Sequence, residues 1–330
     1  MENLKLNFER VLVTGAAGFV GSHTLSRLTK EGVECLGVDN FNDYYSPALK
    51  RARIKNFSIE ERVRNLDLSD QESLSNLFKS FRPQVVIHLA AQPGVRYSQI
   101  NPNSYITNNV VAFESVIQSC RAFDVDRLLY ASSSSVYGRE AGTSYTEENR
   151  GGPVKNLYAL SKRFNEDRIA LEQTFESVGL RFFSIYGPWG RPDMAYFRLI
   201  GSVLGLWRFK RLGDGEQLRD YTYISDVVDA IWAILHLDQL PKVINIGGGQ
   251  PFSLNKMNSL VEEYFGKSSE IETAKKDETE ALITRASTQL LEDLGLPIPK
   301  VNFESGISHV CDWAKRIPSD EFSEWLRSSK

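Results

Sequence analysis

Three cysteines in 330 residues, at positions 35, 120 and 311, are too few and too far apart for a disulfide framework. No CxxC pair or Cys/His ligand spacing accompanies them, so reduced thiols are expected and a metal site is not. An excess of basic charge is also missing. Lys+Arg number 39 against 42 Asp+Glu, a net charge of −3, which leaves no footprint for nucleic acid and no polybasic patch for a membrane. No stretch is long and apolar enough to span a bilayer, and the opening MENLKLNFER lacks the apolar core of a signal peptide. The expectation is a cytoplasmic protein without targeting signals. What remains is an ordinary globular composition, 42% hydrophobic and 25% charged, long enough for a core domain and a smaller lobe.

The first half alternates strand and helix. Arg10–Thr14 is a short apolar run of the kind buried on both faces in a parallel sheet. It leads into Gly15-Ala-Ala-Gly18-Phe-Val-Gly21 and a helical pattern from Ser22 to Lys30. Glycines there permit a tight turn and close backbone approach to a pyrophosphate, with Phe19 and Val20 among the residues expected to bind it. A glycine triplet alone is weak, but one set between strand and helix is stronger. The next strand, Cys35–Asp39, ends in an acid 18 residues after Gly21, where a carboxylate meets an adenosine ribose hydroxyl. Asp39 would repel a 2′-phosphate, so NAD is favoured over NADP; the alternative is a turn-forming Asp beside Asn40. Further strands are expected at Val63–Leu68, ending near Asp67 and Leu68, at Gln84–Leu89 and at Asp126–Ala131. Helices are expected at Gln71–Phe81 and Tyr105–Phe123. The fourth strand runs into Leu89, Ala90 and Ala91, small enough at its end to admit a cofactor. His88, inside that apolar run, reads as a satisfied core histidine. Repeated units of this length imply an α/β doubly wound parallel sheet.

In such sheets ligands sit at the carboxyl ends of the strands. There the fifth strand delivers Ser132-Ser-Ser-Ser135, and a loop later Asn156-Leu precedes Tyr158 on a helical stretch reaching about Gln173. Tyr158 and Lys162, four apart, share a helix face. A lysine ammonium beside a phenol lowers its pKa from about 10 and makes it a usable proton acceptor. The plain alternative is a half-buried tyrosine near a solvated lysine.

Together these features resemble the extended short-chain dehydrogenase/reductase superfamily. The features are the N-terminal glycine triplet, the acid ending the second strand, the serine after the fifth and Tyr-x-x-x-Lys on the next helix. Within it the chain is similar to the NAD-dependent nucleotide-sugar epimerases, and the segments Asp39–Tyr45, Ser132–Gly138 and Tyr186–Met194 point towards UDP-glucuronate 4-epimerases. The resemblance implies a Rossmann-type sheet with a smaller α/β substrate-binding lobe, bound NAD and a homodimer. It implies Tyr158 as base towards the sugar 4-OH, Lys162 on the nicotinamide ribose and Ser133 as catalytic hydroxyl. Ser134, Ser135 and Ser184 would line the sugar pocket. Related dehydratases carry Asp-Glu where Ser134 and Ser135 stand, and related decarboxylases carry Glu at the position of Ser135. Serine cannot replace a carboxylate as acid or base near neutral pH, so elimination and decarboxylation are disfavoured.

A uronate oxidised at C4 is a β-keto acid, prone to losing CO2 unless its carboxylate is held out of alignment. Arg191 is the expected clamp, since guanidinium matches carboxylate bidentately; the alternative is a surface arginine in a Gly/Pro-rich loop. Arg219 is expected near the UDP pyrophosphate, or else paired structurally with Asp220. The relatives' usual Gly-Asp diphosphate turn is replaced by Lys275–Glu280, with Lys276 and Arg285 as weak substitutes. The expected division is 1–184 for the NAD-binding domain, with later segments such as 220–250 returning to it, and 185–330 mainly for the UDP-sugar lobe. In that lobe a helix is expected within Met194–Trp207, a helix capped by Asp226, a strand at Val243–Gly247 and helices at Ser253–Phe265 and Phe303–Arg316. Ser319–Lys330 is expected as a surface tail. A 4-epimerase of UDP-glucose or UDP-N-acetylglucosamine, and a non-catalytic NAD-binding protein, stay open as alternatives.

Overall fold

The computed structural model describes residues 8–138, 144–149, 151–275 and 283–328. In Arg10–Thr14 (β1), Val11, Leu12 and Val13 are wholly buried, which requires cover on both faces of the sheet. The alternating helices supply it. α1 (Phe19–Lys30), β2 (Glu34–Asp39), α2 (Pro47–Asn56), β3 (Val63–Asn65), α3 (Gln71–Phe81) and β4 (Val85–His88) follow in order. Then come α4 (Tyr97–Ile100), α5 (Pro102–Tyr105), a π-helical stretch Ile106–Val111, α6 (Ala112–Ala122), β5 (Arg127–Ser133), α7 (Leu157–Ile169) and β6 (Glu176–Phe182). All of these strands pair in parallel, in the order β6-β5-β4-β1-β2-β3. The order reverses between β4 and β1, and strand tips diverging at such a point open a crevice.

After β6 the chain leaves the sheet through β7 (Ser184–Tyr186), α8 (Ala195–Val203), β8 (Phe209–Leu212), β9 (Leu218–Tyr223) and α9 (Ile224–Ile234). It returns once, as β10 (Val243–Ile246), which pairs in parallel with β6 and completes seven strands. β11 (Pro251–Ser253), α10 (Leu254–Phe265), β12 (Ile271–Ala274), α11 (Gln289–Asp293), α12 (Phe303–Lys315) and α13 (Ser319–Arg327) finish the chain. Two small sheets, β11-β9-β7 and β12-β8, surround a second core rich in aromatics.

Several expectations are corrected. The expected surface tail Ser319–Lys330 is, over its described residues, a packed helix. Phe322, Trp325 and Leu326 of α13 are fully buried, and Phe322 stacks on Phe197 with ring centroids 4.5 Å apart. Burial of such side chains stabilises by about 1.5–3 kcal/mol each. Asp226 sits in the first turn of α9, but its carboxylate accepts the N–H groups of Lys300 and Val301 at 3.1 and 2.9 Å. It anchors a distant segment instead of capping its own helix. The helix expected from Tyr105 starts eight residues earlier in broken turns, and α2, whose basic sequence shows no apolar stripe, was not foreseen. His88 is the core histidine expected, its Nδ1 2.9 Å from the Thr14 hydroxyl.

Candidate active site

The turn after β1 places Gly15 at φ +68, and a Cβ there would lie 2.7 Å from the Ala90 nitrogen. At Gly21 a Cβ would lie 2.0 Å from the Gly15 carbonyl oxygen, so helix and turn approach only as glycine allows. α1 begins after Gly18 with no side-chain cap, which leaves its first N–H groups and positive dipole end for an anion. Asp39 closes the far side of this loop. Its carboxylate accepts from the Ala17 N–H at 3.1 Å and the Phe41 N–H at 2.8 Å, with Lys50 Nζ 3.8 Å away. Asn40 donates to Asp67 at 2.9 Å, joining the tips of β2 and β3.

These parts open onto one cleft of about 490 Å³, a volume typical of small-molecule sites. Gly15, Gly18, Phe19, Val20, Asp39 and Asn40 line it, as do Asp67, Leu68, Leu89, Ala90 and Ala91. Bare helix donors, a carboxylate at the end of β2 and small residues beyond β4 fit a dinucleotide's diphosphate, ribose and rings. The same cleft is lined by Ser133, Ser134, Ser135, Tyr158, Lys162, Ser184, Arg191 and Arg219.

β5 runs further than expected and carries Ser133 to its very end. The Ser133 hydroxyl accepts the Ser135 N–H at 3.2 Å and the Ser135 hydroxyl at 2.9 Å, starting a short turn through Tyr137. Asn156 caps α7 by accepting the Ala159 N–H at 2.8 Å, which brings Tyr158 to the cleft at the helix's first turn. Burial pushes the Tyr158 phenol above its ordinary value, and Ser133 and the charge of Arg191 offset this only in part. The lowering expected from Lys162 is therefore not found. The Lys162 ammonium, 1% exposed, donates to the Ala131 carbonyl at 2.8 Å, and burial lowers its own pKa to about 8. The ammonium therefore braces the end of β5, and Ser133 and Arg191 are the groups that counter burial at the phenol.

Arg191 differs from its expected form too. Its guanidinium is already gripped bidentately by Asp193, at 3.0 and 2.8 Å, and Tyr44 donates to the same carboxylate at 3.2 Å. Burial disfavours the charged Arg191, but Asp193 outweighs it and raises its pKa; Arg191 in turn holds Asp193 below the usual carboxylate range. Arg219 reaches the cleft from β9, and Asp220 is not its ion-pair partner. The buried Asp220 carboxylate accepts the N–H groups of Gly248, Gly249 and Ala286 at 2.8–2.9 Å. Its own N–H donates to Thr284 Oγ1 at 3.2 Å, fixing Thr284 at the cleft wall. Lys276 lies outside the described residues, and Arg285 donates to the Gly249 carbonyl at 2.9 Å.

The sequence reading missed Tyr44, Tyr45, Lys50, Tyr145, Lys155 and Thr284 as cleft residues. Ser46-Pro47 is a helix-start signal that would have put Lys50 on an ordered element. Among the described residues no group of three or more His, Cys, Asp or Glu side chains could hold a metal ion. No helix among them is long and apolar enough to cross a membrane.

The profile of the NAD dependent epimerase/dehydratase family matches residues 11–247. A probable UDP-glucuronate 4-epimerase of Rhizobium meliloti is 33% identical over 328 residues, covering 92% of this chain and 96% of that protein. The crystal structure of UDP-glucuronic acid 4-epimerase from Bacillus cereus, with UDP-glucuronic acid and NAD, is 32% identical with a TM-score of 0.85. The match covers 93% of this chain and 99% of that one. UDP-glucose 4-epimerase of Thermus thermophilus, with NAD, is 28% identical with a TM-score of 0.84 over the same shares of each chain. The two folds match equally well, so the backbone alone does not choose the sugar.

Proposed function

Because the chain belongs to the NAD dependent epimerase/dehydratase family, we propose that it epimerises C4 of a UDP-sugar, UDP-glucuronate to UDP-galacturonate. The observation that carries this reading is the convergence on one cleft of a dinucleotide cradle, Ser133 and Tyr158, and serines, not carboxylates, at 134 and 135. NAD, when bound in the cradle, would supply the hydride acceptor for C4. Tyr158 takes the 4-OH proton as that hydride leaves, and Ser133 holds the phenol and the sugar oxygen together. The 4-keto sugar turns over in the cleft, and Tyr158 gives the proton back once hydride has returned to the opposite face. With Ser134 and Ser135 unable to serve as acid or base, loss of water has no catalyst, and loss of CO2 is left to the orientation of the carboxylate. Residues 1–184 with later segments such as 220–250 form the NAD-binding part, α9 and β10 packing with its core, and 185–330 mainly form the sugar part.

One observation favours a second reading. The Arg191 fork is satisfied internally by Asp193, and a neutral pair suits a neutral sugar such as UDP-glucose or UDP-N-acetylglucosamine. Incubation of the NAD-loaded protein with all three UDP-sugars decides between them, with conversion of UDP-glucuronate expected. Turnover of UDP-glucose or UDP-N-acetylglucosamine without any of UDP-glucuronate ends the leading reading. Arg191→Ala should reduce uronate turnover far more than any residual UDP-glucose turnover, and equal losses would remove Arg191 as carboxylate clamp.

The protein is further proposed to work in the cytoplasm as a homodimer. Ile100, Ile106 and Val111 along the α4–α6 region are exposed, as are Leu160, Phe164 and Leu171 on or just beyond α7. Pairing these faces with a second copy would cover them. Sedimentation at micromolar concentration should give twice the chain mass, and a monomer there refutes the dimer.

A further inference from the structure

Arg53 is wholly buried, yet no step of the chemistry above uses it. It stands three residues after Lys50 on α2, so the two side chains leave the same side of the helix. Its Nε donates to the Trp189 carbonyl and its Nη2 to the Gly190 carbonyl, both at 2.7 Å. Its Nη1 donates to the Ala17 carbonyl at 3.2 Å and to the Tyr45 hydroxyl at 2.6 Å. Three carbonyls and a phenol, not a carboxylate, are thus its partners. A buried cation held by neutral acceptors is an expensive way to fill a core position.

What the arrangement achieves is geometric. A guanidinium is planar and presents its donors in a fixed fork. Here one fork touches the glycine loop at Ala17 and the Arg191-bearing loop at the two residues just before Arg191. The first contact is stiff, because the Ala17 N–H is held in turn by Asp39 at 3.1 Å. The second lies where the backbone is tightly constrained. Trp189 has φ +63, and a Cβ on Gly190 would fall 1.5 Å from the Tyr196 hydroxyl. Neither loop can shift without disturbing a donor that the other requires.

We propose that Arg53 is a positioning residue that couples the two halves of the cleft, so that a dinucleotide on the glycine loop and a sugar nucleotide by the Arg191 loop each tighten the other. The inference rests on the reading that the first loop holds NAD and the second faces the sugar. Reciprocity follows from linkage: whatever factor one ligand gives the other, it receives. A lysine at this position keeps the positive charge but has no fork, and it reaches one loop or the other.

The test is a binding cycle in a Tyr158→Phe background, which stops turnover. Dissociation constants for NAD and UDP-glucuronate are measured calorimetrically, each alone and with the other saturating. The parent should show mutual tightening on the order of tenfold. Arg53→Lys should reduce this to under about twofold while each ligand's affinity on its own moves by less than about threefold. A parent without mutual tightening overturns the proposal, and so does an Arg53→Lys variant that keeps it. Uniform weakening of both ligands with the coupling intact would make Arg53 merely structural and overturns it equally. Where Arg53→Lys does not fold, Tyr45→Phe withdraws one partner of the guanidinium without touching either loop and should at least halve the coupling; no change counts against the proposal. If UDP-glucose binds and UDP-glucuronate does not, the substrate reading fails, and the same cycle with UDP-glucose still decides the role of Arg53. A protein that binds neither sugar nucleotide overturns both.

Discussion

At the dinucleotide end of the cleft the surface is mostly backbone at the tips of neighbouring strands, while at the sugar end it is side chains held by tethers far along the chain. Gly15, Ala90 and Ala91 occupy the first end because the sheet's parallel register brings the ends of β1 and β4 side by side. Arg219 and Thr284 both line the second, where Thr284 is tied to the Leu218 carbonyl and the Asp220 N–H, and Asp220 gathers amides from residues 248, 249 and 286. A cradle made of register tolerates change in its side chains. A wall made of tethers depends on each one.

The largest test of this contrast is Tyr158→Phe. Turnover should fall by about a thousandfold, within the range for a lost general base, while NAD affinity measured by fluorescence stays near that of the parent. Loss of NAD binding in step with activity would place Tyr158 in the cradle's architecture. Trp325→Ala removes a fully buried ring from the second core and should lower stability by about 3–5 kcal/mol in denaturant titration. A loss below about 1 kcal/mol would return α13 to the status of a dispensable tail. Asp220→Ala leaves three amides without their acceptor. It should cost roughly 3 kcal/mol and weaken sugar-nucleotide binding more than NAD binding. Parallel loss of both ligands would erase the distinction between the two ends.

The smallest effect is a pH slope in the dinucleotide half. Burial lowers His88 from 6.5 to about 3, so the folded protein keeps it neutral where the unfolded chain takes up a proton. Its contribution is complete above pH 6.5 and declines as pH falls towards 3, by roughly 1–2 kcal/mol at pH 5. His88→Leu should flatten that part of the stability profile. An unchanged slope would show that other groups carry it; His23, lowered to about 4 mainly by burial, is the first to examine.

Legibility followed the same divide. The strand, glycine turn, helix and terminal acid of the dinucleotide end are contiguous in sequence, so α3 at Gln71–Phe81 and the return of β10 could be foreseen from local pattern alone. Arg53 could not, because its partners lie 36 and 136 residues away and α2 has the composition of a solvated basic stretch. α13 was legible and passed over. Phe322, Trp325 and Leu326 stand at i, i+3 and i+4, a helical stripe whose brevity and terminal position disguised it. The Asp193 grip on Arg191 was hidden for another reason: sequence shows a guanidinium's charge but not which carboxylate reaches it first.

The late return of β10 bears on how such a protein can be divided. With β6 as the sheet's last strand, a chain cut after Ser184 would expose the backbone groups of residues 179–182 that β10 now covers. An uncovered edge beside Val178 and Leu180, both fully buried here, is a template for intermolecular pairing. The seven-stranded sheet is thus one unit in space but not in chain. A graft that exchanges the sugar lobe between relatives therefore needs two junctions, one beyond β6 and one before α9, whose apolar face packs with α1 in the sheet's own core. A single crossover would set the relative's α9 and β10 against this chain's sheet.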